Sequence, residues 1–114
     1  VTRIPPPNVG DIIKIKDEDS LFLIVERRPY EARAHNDSWR DHHTVAIQVK
    51  ADGNPYQLGP KSRTPHFWTS DDAFRPGHTE FTVVGHAQAV EKVVTYKVIK
   101  PTIDREALRT ANNL

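Results

Sequence analysis

Ile13 and Ile15 alternate with Lys14 and Lys16 just after Gly10-Asp11. That is the two-residue period of a strand with one face in a core and the other in water. Residues 17–20 (DEDS) then form a polar turn, and Leu21, Phe22, Leu23, Ile24 and Val25 follow without interruption. An unbroken apolar run without helical spacing predicts a strand with core on both faces, either central or part of a curled sheet. Glu26, Arg27, Arg28 and Pro29 end it, because proline cannot continue a central ladder. Residues 10–28 therefore form a hairpin to which the other strands add.

Residues 44–50 alternate again, with Val45, Ile47 and Val49 inward and Ala46, Gln48 and Lys50 outward. Asp52-Gly53-Asn54-Pro55 is a strong turn signal, and residues 56–58 are a candidate short return strand. Residues 80–85 are a strand carrying Phe81 and Val83 on one face, with Gly85 marking a bulge or bend. The last strand is 93–100, with Val94, Tyr96 and Val98 on one face; residues 86–92 between them read as a hairpin connection or a helical turn. Two long polar stretches, 29–43 and 59–79, carry no periodic signal. Pro60, Pro65 and Pro76 keep the second irregular, apart from one helical turn that Thr69 and Asp72 would cap.

Both ends differ from the middle. Residues 1–9 hold Pro5, Pro6 and Pro7, which favour an extended arm with Ile4 as its only strongly apolar anchor. It either lies along its own barrel or docks on a neighbour. After Pro101 the period changes: Thr102 is a good N-cap, and Ile103, Ala107, Leu108 and Ala111 share a helix face. A helix this short is marginal alone, so that face packs on the sheet or on another chain. The expected organisation is an arm (1–9), one β-barrel-like domain (10–100) and a short C-terminal helix and tail (101–114). The fold class is all-β, mainly antiparallel: a small five-stranded barrel or sandwich. The order Val9-Gly10-Asp11, apolar strand, acidic turn, long apolar strand resembles the opening of SH3-like barrels. The resemblance covers about twenty residues, is generic, and carries no functional residue with it.

Length and composition narrow the picture further. The chain has 114 residues, 37% hydrophobic and 27% charged, with a formal net charge of +1, which fits one domain and points to neither nucleic acid nor membrane. Without cysteine there is no disulfide frame and no thiolate zinc site. No apolar run approaches the roughly 20 residues of a membrane helix, and no secretion signal is visible. A chain that starts at Val1 and contains no methionine reads as processed or tag-cleaved at its N-terminus. The expected location is the cytoplasm or a virion, not a membrane.

Three constellations are candidates for chemistry. The first is basic and aromatic: Arg27, Arg28, Tyr30, Arg33, Trp39 and Arg40 in one polar stretch, and Lys61, Arg63, His66, Phe67 and Trp68 in the other. Residues 27–68 hold seven Lys/Arg against four Asp/Glu, while 1–26 balance to −2 and 69–114 to zero. Guanidinium groups pair phosphates and aromatic rings stack on bases, so this set is a candidate nucleic-acid surface. Asp37 and Asp41 beside Trp39 oppose that, and the bland alternative is tryptophans covering core ends among solvated arginines. The second is the six histidines, of which His43 would share a strand face with Asp41; no spacing guarantees the three or four converging ligands that zinc needs. The third is Asp17, Glu18 and Asp19, which begin like a calcium loop but lack its glycine and its closing acid, so a hairpin turn explains them.

No nucleophile elbow, phosphate-cradling glycine loop or His-Glu-x-x-His motif occurs, and no cofactor is called for. The expectation is therefore a non-enzymatic structural or assembly protein, such as a neck, joining or decoration component of a phage virion. Its partners would be protein subunits in a homo- or hetero-oligomer. Ile4, Pro5, Pro6, Pro7, Ile103, Ala107 and Leu108 are the expected contacts. The alternative is a nucleic-acid-binding small barrel using Arg27, Arg28, Tyr30, Arg33, Trp39, Arg40, Lys61, Arg63 and Trp68.

Overall fold

The computed structural model describes residues 4–27, 44–56, 66–69, 74–92 and 96–113. The elements are β1 (Asp11–Ile15), β2 (Leu21–Arg27), β3 (Thr44–Val49), β4 (His66–Thr69), β5 (Phe81–Lys92), β6 (Tyr96–Ile103) and α1 (Arg105–Asn112). The strands form one curled antiparallel sheet in the order β4-β3-β2-β1-β5-β6. Five longer strands make its body, and the four-residue β4 extends one edge. No helix among the described residues is long and apolar enough to cross a membrane.

The β1–β2 hairpin forms where the alternation placed it. Ile13 faces Phe22 and Lys14 faces Leu21, and the Glu18 N–H donates to the Ile15 carbonyl at 3.0 Å to close the turn. Asp17 takes the left-handed conformation there (φ 68°), which aspartate tolerates better than most residues. After β3, the Gly53 N–H donates to the Lys50 carbonyl at 2.8 Å. The Asp52 carboxylate accepts from the Asn54 N–H at 2.9 Å, and that backbone hydrogen bond, joined by the Asn54 side chain, holds its pKa below the ordinary aspartate value. Pro55 adds an isolated bridge to Val49; residues 57–58 of the expected return strand lie outside the described residues.

Core lies on both faces of the sheet. One cluster gathers Ile12, Leu21, Leu23, Val25, Val45, Ile47, Val49 and Val84, with Ala111 from the helix. The other gathers Ile13, Ile15, Ile24 and Ala46, with Phe22 and Phe81 packed on it. Phe74 is fully buried and meets Phe81 edge-on, with ring centroids 5.2 Å apart. Adjacent residues of β1 and β2 thus enter different clusters, which is what the unbroken apolar run of β2 required. Two expectations need correction here. Lys14 and Ala46, placed outward by alternation, are buried. A curled sheet covered on both sides leaves its middle strands no solvent face.

Three boundaries also differ. The stretch 59–79 is not wholly irregular: residues 66–69 form β4, which pairs with β3, and the helical turn expected after Thr69 lies outside the described residues. Residues 86–92 are neither a turn nor a helix but the second half of β5, pairing with β6 from Gly85↔Ile103 to Lys92↔Tyr96. β6 runs through Pro101 and Thr102, so the helix starts later and Asp104, not Thr102, caps it. The Asp104 carboxylate accepts from the N–H groups of Glu106 and Ala107, both at 3.1 Å. Asp104→Ala should lower stability by about 1 kcal/mol, read as a shifted urea midpoint with unchanged slope. A midpoint within error of the parent would show that the helix is held by packing alone.

β5 carries the bulge that Gly85 marked. Ile12 faces Gly85 but Ile13 faces Val83, so Val84 is the extra residue. The bulge turns Val84 into the core, and its carbonyl accepts from the Asp104 N–H at 2.7 Å, fixing where the helix begins. At Gly85 a Cβ would lie 2.3 Å from the Thr102 carbonyl oxygen, so β5 and β6 touch backbone to backbone there.

Candidate functional site

Of the expected partner contacts, the N-terminal ones divide. Pro5 is exposed, Ile4 and Pro6 are half-buried, and Pro7 is buried. The Ile4 N–H donates to the Phe74 carbonyl at 2.8 Å. The segment ends on Asp11, whose carboxylate accepts from the Asn8 N–H at 2.9 Å and pairs with His86 Nδ1 at 2.9 Å. At the other end of the chain, Ala107 and Leu108 are half-buried against the sheet's first cluster, so the helix rests on its own sheet. Ile103 joins the same cluster, but from β6.

Of the expected nucleic-acid contacts, Arg28, Tyr30, Arg33, Trp39, Arg40, Lys61 and Arg63 lie outside the described residues. Arg27 ends β2, where its guanidinium hydrogen-bonds the Thr44 hydroxyl. Trp68 belongs to β4 and is paired with Val45. Register keeps the two apart: Arg27 faces Thr44, and Thr44 faces Thr69, so Trp68 belongs to the next row, two strands away. His66 pairs with Ile47, at the other end of β4. The second polar stretch thus adjoins β4 at both ends, and the Thr69 end lies beside Thr44, where the first stretch ends. Asp41 and His43, the metal pair raised by sequence, lie outside the described residues.

A cleft that sequence reasoning missed lies at the turn end of β1. It holds about 380 Å³ and is lined by Ile4, Lys14, Lys16, Asp17, Glu80, Phe81, Thr82 and Ala111. Sheet register builds it, since Lys14 is directly opposite Thr82. The last turn of α1 supplies Ala111. Glu80 is fixed on the backbone by the Lys16 N–H, which donates to its carbonyl at 2.8 Å, and its carboxylate sits 3.5 Å from Lys16 Nζ. Lys14 is different: it is 9% exposed, and no side-chain hydrogen bond or ion pair engages its ammonium among the described residues. A cation withdrawn from water without a partner is disfavoured, so such a lysine is a place where an anion is welcome. The signal that could have found it was the Lys14 position itself, inside a hairpin whose other strand is apolar on both faces.

No family model, no curated protein and no solved structure matches this chain.

Proposed function

We propose that the chain is a non-enzymatic assembly module, a small open SH3-like barrel whose β4 edge and N-terminal arm join it to further copies of itself in a larger particle such as a virion. One observation carries this reading: the two edges of the sheet are unlike. β6 is guarded by Lys97, Lys100 and Pro101, the residues that block unwanted strand pairing. β4 has neither lysine nor proline and pairs only with β3 among the described residues. An edge strand without such guards can accept a strand from another chain. Val9, 47% exposed beside the prolines, offers further apolar surface.

Sedimentation velocity tests this. Self-association in the tens of micromolar, with slowed amide exchange along residues 66–69, is the expected result. A chain that stays monomeric to about 1 mM has lost the reading. The second reading, a nucleic-acid surface, is favoured by the basic and aromatic residues gathered in the two polar stretches. It requires salt-dependent oligonucleotide binding that Arg28→Ala and Arg63→Ala weaken.

A further inference from the structure

We propose that the cleft at the turn end of β1 binds a small molecule with one carboxylate and a short alkyl body. The carboxylate pairs with Lys14. The inference uses neither sheet edge and shares only Ile4 of the arm with the assembly reading.

The charges of the cleft select the class of anion. Lys16 and Glu80 satisfy each other at 3.5 Å, so they leave no net charge for a ligand. Lys14 is the cation left over, and Asp17 is the acid left over on the rim. One unpaired lysine offers a partner to one negative charge, and Asp17 opposes a second, which suits a monoanion. A phosphate dianion would find a single unpaired lysine for its two charges, with Asp17 on the rim opposing it.

Shape and polarity select the body of the ligand. Ile4, Phe81 and Ala111 supply apolar wall, and Thr82, directly opposite Lys14, supplies a hydroxyl that can donate to the second carboxylate oxygen. A volume near 380 Å³ is at the small end of ligand sites, which fits a medium-chain acid. The lysine is also placed by the rigid part of the fold. Its neighbours Ile13 and Ile15 are core residues, and its backbone is paired on both sides, with Leu21 and with Thr82. A charge held by a central strand gives up little freedom on binding.

The probes are octanoate, octan-1-ol and inorganic phosphate, titrated into the whole chain and followed by amide chemical shifts. Octanoate should give saturable shifts centred on Lys14, Phe81, Thr82 and Ala111. Octan-1-ol, of the same length without the charge, should bind at least about tenfold more weakly, the worth of one charge-assisted hydrogen bond. Phosphate should give no saturable shift at these positions. Lys14→Met should fold, since it removes a buried unpaired charge, and should lose octanoate binding by about the same factor. The proposal is overturned by any of three results: no saturable octanoate shift, equal affinity for octanoate and octan-1-ol, or unchanged octanoate binding in Lys14→Met. Should Lys14→Met fail to fold, the comparison of octanoate with octan-1-ol on the unmodified chain still decides the matter.

Discussion

Leu23→Asp should yield no folded protein at neutral pH. Leu23 is fully buried and sits between Ile12 of β1 and Ile47 of β3, themselves at 0% and 1% exposure. The substitution removes about 1.5–3 kcal/mol of side-chain burial. It also puts a carboxylate where no cation of the first cluster can reach it, at a further penalty of several kcal/mol. Together these approach the whole stability of a typical domain, roughly 5–15 kcal/mol. Leu23→Ala is the control: it should stay folded and lose about 2–5 kcal/mol. A dispersed amide spectrum from Leu23→Asp at pH 7 would mean that β2 is not the centre of the sheet.

Gly85→Val is the second substitution with a large expected effect. Even an alanine Cβ would lie 2.3 Å from the Thr102 carbonyl oxygen and 3.1 Å from Ile103 Cα, and both are backbone atoms that no rotamer change can move. Making room requires β6 to separate from β5, and the Asp104 cap and its bond to Val84 move with it. Valine should destabilise by about 3 kcal/mol or more, and alanine by slightly less. Gly77→Ala is the comparison. Its φ of +80° is unfavourable for alanine, at about 1–2 kcal/mol, but nothing lies within 4 Å of the added methyl. If denaturant midpoints for Gly85→Ala and Gly77→Ala fall together, the close approach of the two strands is wrong.

Most of the sheet was legible because its strands advertise themselves. β1 and β3 alternate, β2 is unbroken, and Asp17 and Gly53 mark the turns between the strands. What was not legible followed from residues whose local preference lost to tertiary context. His86, Ala87, Gln88, Ala89, Glu91 and Lys92 hardly resemble a strand, yet they are one, because β6 pairs with all of them but Gln88. Pro101 reads as a terminator, but β6 is an edge strand, where a missing N–H leaves no ladder bond unmade. His66–Thr69 is too short to show a period between flanking prolines. The cleft was hidden for a related reason. A lysine that alternates with isoleucines reads as a solvent face, and only the helix's arrival at Ala111 turns that face into an enclosed one.

The strand order has a kinetic consequence. β1 with β2, β2 with β3, β3 with β4, and β5 with β6 are each consecutive in the chain; β1 with β5 is the pairing that is not. The consecutive pairs close over shorter stretches of chain, at less entropic expense. The β1–β5 pairing has to bring Ile13 and Val83 together across most of the intervening chain. Folding is then two locally formed pieces awaiting one encounter, and the time constant of the reaction is the waiting time for that encounter.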